Sequence, residues 1–139
     1  MRASIEAFAQ REGIRAGFVL TCVGNLSGAE LRMADERIMR SYVGTFEIVS
    51  LVGTFEPGNA HLHIALSDPS GAVFGGHLRL GSIVGITAEL ILGELADLVF
   101  ARSLDPDTGF VELLVESAVE ANGAETKPGW RVPAGVLLD

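Results

Sequence analysis

The side chains in this sequence best suited to chemistry are its three histidines, at positions 61, 63 and 77. All three fall within one stretch, His61 to Glu89, reading HLHIALSDPSGAVFGGHLRLGSIVGITAE. Side chains alternate between the two faces of a strand, so His61 and His63 point the same way. Between them and His77 lies Asp68-Pro69-Ser70-Gly71, with proline and glycine where a type I turn favours them. Such a turn, followed by a left-handed glycine, makes a three-residue hairpin loop with Asp68 opposite Ala72. Counting back along that register sets His63 across from His77, and His61 across from Arg79. The three imidazoles then project from one face of one hairpin; a slip of one residue would turn His77 to the other face. Three imidazoles so placed are a ligand set for zinc or another divalent metal, with a fourth position left for water or another ligand. A single strand histidine is usually a packed or surface residue. The third histidine, placed by an independent turn, favours the metal. Gly75-Gly76, just before His77, marks a bulge or a close approach to the backbone.

A metal held this way is open at one or more positions, where it lowers the pKa of a bound water or polarises a carbonyl. Such chemistry needs a carboxylate as base, fourth ligand or partner to a ligand. Glu89 is the candidate, because a charge inside the apolar run Ile83 to Leu92 is costly without a partner; the competing reading is an outward-facing strand residue. Arg79 shares the histidines' face in the expected register, where it would hold an anionic substrate or pair with an exposed glutamate. Ser67 and Thr87 offer hydroxyls, but nothing marks either as a nucleophile. Asp105, Asp107 and Thr108 lack the glycine and final glutamate of a calcium loop and read as a turn.

The elements that must position these residues follow from periodicity and turn chemistry. Ser4 to Glu12 reads as a helix with Ile5, Phe8 and Ala9 on one stripe and Gly13 as its stop. Ile14 to Val23 reads as a buried strand ending in a turn at Gly24-Asn25. Leu26 to Asp35 and Arg37 to Val43 read as a hairpin about Asp35-Glu36, and Gly44 to Phe55 as a further β run closed by Pro57-Gly58-Asn59. The histidine hairpin occupies 61–67 and 72–80. Ser82 to Leu92 reads as a central strand, Asp97 to Leu104 as another, Asp105 to Gly109 as a turn, and Phe110 to Val119 as a strand or short helix. The expected architecture is α+β, sandwich-like: a mostly antiparallel sheet with one main helix, as a single domain over 1–118. Residues 119–139 read as a C-terminal tail, with Trp130 and Val136-Leu137-Leu138 either docking it on a neighbour or fraying with it.

Composition narrows the partners. With 48% hydrophobic residues in a chain of 139, there is apolar surface to spare, which suggests burial against another subunit. The most apolar region, Gly81 to Ala101, is interrupted by Glu89, Glu94 and Asp97, so no membrane span is expected. Met1-Arg2 leads into a charged amphipathic segment, which is not the pattern of a signal peptide. The one cysteine, Cys22, excludes an internal disulfide, reads as a core thiol and fits a reducing cytoplasm. A formal net charge of −8, with one lysine and scattered arginines, makes direct nucleic-acid binding by the lone chain doubtful.

The run GTFEIVSLVGTF (44–55), then HLHIALSDPSGAVFGGHL (61–78), TAEL (87–90) and LDPDTGFVEL (104–113), closely resembles the plant and prokaryote conserved domain, PPC. The resemblance extends from about Ile5 to Leu114. It implies an α/β sandwich-like subunit that assembles as a homotrimer, with a metal on the three histidines in prokaryotic members. Stand-alone bacterial and archaeal members are often described as predicted DNA-binding proteins with a PD1-like domain; in plants the domain follows AT-hook motifs and mediates protein–protein contacts. A more distant likeness is to acetolactate decarboxylase, which pairs an HxH strand with a GGH strand and uses zinc. Members of the family usually begin with a strand before the first helix, whereas here the sequence opens almost at the helix. No Arg-Gly-Arg hook occurs, so the DNA-binding description has no residues of its own to rest on. Two classes of function remain. One is a metal-stabilised homotrimeric module that binds a protein partner, a small ligand or an assembled DNA complex. The other is a small zinc enzyme, a lyase or hydrolase of a compact carboxylate or ester.

Overall fold

A computed structural model describes residues 1–118; the expected tail at 119–139 lies outside the described residues. The described residues form one helix followed by seven strands: α1 (Arg2–Glu12), β1 (Gly17–Arg32), β2 (Met39–Glu56), β3 (Asn59–Ser67), β4 (Val73–Leu78), β5 (Ile83–Glu94), β6 (Leu98–Leu104) and β7 (Val111–Ser117). This is the expected α+β architecture, and every strand pairing is antiparallel. Helix α1 buries Ile5, Phe8 and Ala9 and stops at Gly13, whose φ of 68° takes the left-handed turn that glycine permits.

Five strands form one sheet in the order β2-β3-β4-β1-β5, and β1 pairs with β2 as well. Strands β1 to β4 therefore close on themselves around the core. Leu26, Leu31, Phe55, Leu62, Leu66 and Leu78 are fully buried there, with Ile5 of α1 among them. In β3 the alternation is clean: Leu62, Ile64 and Leu66 face the core while His61 and His63 face out. Tyr42, Phe46 and Phe74 cluster near the loop end of the histidine hairpin, with ring centroids 4.4–6.3 Å apart.

Several expected boundaries are corrected. Gly24-Asn25 is not a turn: β1 runs straight through it as a bulged strand of 16 residues. At Gly24 (φ 133°) a Cβ would collide with the Thr87 carbonyl, so only glycine lets β5 approach there. The Asn25 side-chain oxygen accepts the Ile86 N–H at 2.7 Å, replacing a ladder bond that the bulge disrupts. The two β runs at 37–43 and 44–55 join into the single strand β2 of 18 residues. The Ser82–Leu92 segment becomes β5, which pairs with β1 alone and so forms an edge of the described sheet, not its centre. Of the two alternatives for Phe110 to Val119 the strand is the one found: β7 pairs with β6 in a separate two-stranded sheet, and Val119 lies outside the described residues. That hairpin is anchored by buried Phe100, whose N–H donates to the Arg15 carbonyl at 3.0 Å.

Candidate metal centre

The loop that positions the histidines forms as its residues dictate. The Gly71 N–H donates to the Asp68 carbonyl at 2.9 Å, and the Asp68 N–H donates to the Ala72 carbonyl at 3.0 Å. The Asp68 carboxylate accepts from the Ser70 and Ala72 amides and the Ser70 hydroxyl, and these bonds hold its pKa below the usual carboxylate range. Gly71 closes the loop at φ 85°. The register that follows sets Ser67 against Val73 and His63 against His77.

There the expected pairing ends. Strand β4 leaves β3 at His77 and passes to β1, where His77 lies opposite Arg32 and Leu78 opposite Leu31. His61 is paired with Thr54 of β2, and no pairing joins it to Arg79. The Gly75-Gly76 pair makes this handover possible. A Cβ on Gly75 would collide with the Ile64 carbonyl of β3, and one on Gly76 would sit 2.7 Å from the Arg32 carbonyl of β1.

The three imidazoles converge. Their ring centroids are 5.0–5.4 Å apart, and one ligand nitrogen from each falls within 4.8 Å of the others. The Nε2 atoms of His61 and His63 are 3.2 Å apart. Zinc–nitrogen bonds of ~2.0–2.1 Å at tetrahedral angles place two ligand nitrogens about 3.3 Å apart, so this spacing suits a shared ion. The Nδ1 of His77 is buried and has no hydrogen-bond partner among the described residues. A buried ring nitrogen left unpaired is costly unless something engages it.

Burial and nearby charge favour the neutral, metal-binding form of His61 and His77. Burial is the main cause that draws the pKa of His77 down to about 4, followed by the charge of Arg32, the other two histidines and Arg2. His61 is lowered by burial first, then by His63, Arg102, Arg32 and Arg2. Two of these arginines are neutralised: Arg2 by Glu6 at 2.7 Å and Arg102 by buried Glu56 at 3.1 Å. Arg102 also donates to the Thr54 hydroxyl, and Asn59 donates to Glu56, which ties the β6–β7 hairpin to the strands beneath His61.

The other expected site residues stand elsewhere. Glu89 is exposed on β5, paired with Val23, and β4 and β1 separate β5 from β3 in the sheet. Arg79 is exposed just beyond β4, its backbone N–H bound to the Glu30 carbonyl. Asp105 accepts from the Asp107 and Thr108 amides, as a turn residue does. Arg32, Arg102 and Glu56 gave little notice in the sequence. Only Arg102, a charge within LVFARSL, carried the signal of a strand residue in need of a partner.

With the site in view, the relatives of the chain can be placed. The model of the plants and prokaryotes conserved domain matches residues 1–96. The chain belongs to this family. It is 40% identical over 121 residues to the bifunctional protein GlmU of Synechococcus sp. strain JA-3-3Ab, an alignment that covers 87% of this chain and 20% of that protein. The chain thus spans about a fifth of the length of the curated relatives it matches. A hypothetical protein of Salmonella enterica superposes with a TM-score of 0.81 at 40% identity, covering 84% of each chain. A metal-containing protein of Archaeoglobus fulgidus superposes at 0.64 with 25% identity, covering 82% of this chain and 84% of that one. A protein of Ralstonia eutropha described provisionally as DNA-binding gives 0.67 at 26% identity, covering 80% and 81%.

Proposed function

We propose that this PPC-family protein is a metal-binding module whose His61, His63 and His77 hold one divalent ion, zinc by the character of the donor set. The observation that carries the reading is the convergence of three ring nitrogens within 4.8 Å on a hairpin whose register is set by its own turn. A relative of the same fold is described as metal-containing, which supports it. The three protein ligands leave a coordination position open.

The module assembles as a homotrimer in this reading. Support comes from apolar side chains left on the surface of edge strand β5, where Ile83 is 60% and Ile86 86% exposed. An apolar groove of about 480 Å³ lies beside them, between α1 and β5. The buried lone thiol of Cys22 fits the cytoplasm, and no helix among the described residues is long and apolar enough to cross a membrane. Direct DNA binding has little support: of the arginines near the histidines, Arg2 and Arg102 are already paired with carboxylates, and the net charge is −8. The cleft beside His61 favours a second reading, in which the ion serves a small lyase or hydrolase.

Metal content per protomer, measured with mass in solution, tests the proposal. One zinc per chain in a particle of about 44 kDa, three times the 14.7 kDa chain, is the expected result. A protein that takes up no metal when offered it overturns the site, and a monomeric mass overturns the assembly.

A further inference from the structure

Beside the histidines lies a cleft of about 390 Å³, and its walls differ in character. Arg32 and His61 line it on the sheet side; Phe110 and Glu112 approach from the end of the β6–β7 hairpin, and Glu36 from the β1–β2 turn. Arg32 is the cation to account for. It is half-buried, directly opposite His77, and no carboxylate among the described residues pairs with it. Residues directly opposite on antiparallel strands send their side chains to the same face, so its guanidinium stands on the histidine side.

A divalent ion on three neutral imidazoles keeps its full charge, and the guanidinium adds a third positive charge next to it, of which Glu36 and Glu112 at the rim offset two and leave one. Glu56 is committed to Arg102 and does not offset them. An anion that touches both the ion and the guanidinium resolves the imbalance, and a carboxylate matches the planar fork of arginine. The rim selects among anions. Glu36 and Glu112 repel a dianion such as phosphate but accept hydrogen bonds from a hydroxyl or amino group on a monoanion. Phe110 supplies apolar surface for a short carbon chain.

We infer that the cleft binds a small organic monocarboxylate carrying a hydroxyl or amino group, with Arg32 as its anchor. This rests on the metal reading above and names the ligand class of the same site. Arg32 is a binding residue here. Arg79, the arginine that the sequence suggested for an anion, stands outside the cleft lining.

The test uses full-length protein loaded with cobalt(II), whose visible absorption reports changes at its open position, with metal content measured in every sample. Butyrate, 3-hydroxybutyrate and inorganic phosphate are titrated in turn. Saturable spectral change with 3-hydroxybutyrate, weaker change with butyrate and weakest with phosphate is expected. Arg32→Gln weakens the hydroxybutyrate response by about tenfold or more while retaining cobalt, and Arg32→Lys falls between it and wild type. Cobalt-loaded protein that answers no carboxylate, that prefers phosphate, or whose Arg32→Gln variant binds as wild type does overturns the inference and leaves the metal site standing. Failure to load cobalt overturns the metal reading, and this inference falls with it.

Discussion

His63 and His77 face each other directly across the β3–β4 pair, with ring centroids 5.4 Å apart and planes crossed at 83°. His61, two residues along the same face, completes a triangle in which no pair of rings is farther apart than this one. Three rings share the site almost equally, so losing any one should remove a third of the protein ligands.

His63→Ala is expected to abolish stoichiometric metal binding. Metal analysis after gel filtration checks this; retention of one ion per chain by the variant would refute the site. His77→Ala should behave alike, and both variants should remain folded, because neither His63 nor the half-buried His77 belongs to the buried core.

Gly76→Ala tests the handover of β4 from β3 to β1. The added methyl would meet the Arg32 carbonyl at 2.7 Å, and neither backbone can give way without opening the β1–β4 pair. A loss of about 1–3 kcal/mol in urea unfolding is expected, together with weakened metal affinity as His77 shifts. Wild-type stability and affinity in the variant would show that the two strands are not so closely packed.

Glu56 and Arg102 form a pair with side chains only 9% and 13% exposed, and the second Glu56 oxygen has no hydrogen-bond partner among the described residues. Removing one partner leaves a buried charge. Arg102→Met should therefore cost about 3 kcal/mol or more, and the double variant Glu56→Gln with Arg102→Met clearly less. Equal losses in denaturant titrations of the two would argue against coupling.

Metal-free protein should lose stability on acidification over a defined window. The unfolded chain protonates His77 near pH 6.5, whereas burial and then Arg32 hold the folded residue neutral down to about 4. Below 6.5 the unfolded state binds the extra proton, so this contribution to stability, complete above 6.5, falls with pH until about 4 and no further. Unfolding curves of His77→Phe should show a shallower slope between those pH values. An unchanged slope would assign the acid sensitivity to other groups.

The Cys22 thiol is 5% exposed and burial raises its pKa to about 11. Native protein should resist an aromatic disulfide reagent at pH 8 and react only when unfolded. Rapid labelling of the folded chain would show that β1 opens there.

The histidine register was legible because it depends on short-range chemistry. Proline and glycine at fixed places in one loop define the turn, and a strand period of two carries that register from Asp68–Ala72 back to His63–His77. The stripe Ile5, Phe8, Ala9 and the stop at Gly13 were readable for the same reason. Glu89 drew attention as a charge in an apolar run, yet an edge strand with an exposed face accommodates it without any partner at the histidines.

What the chain specifies by itself, then, is the helix, the turn at Asp68–Gly71 and a hairpin that presents three imidazoles on one face, since each depends on residues a few positions apart. Tertiary structure alone decided that β1 passes through Gly24-Asn25, that β4 changes neighbours at His77, and that Arg32, Arg102 and Glu56 gather beside the histidines. These depend on backbones from distant segments meeting at contact distance, where a missing Cβ or a buried ion pair determines which strand lies next to which. No local period records such meetings, so the cleft and its unpaired guanidinium emerge only when the sheet closes.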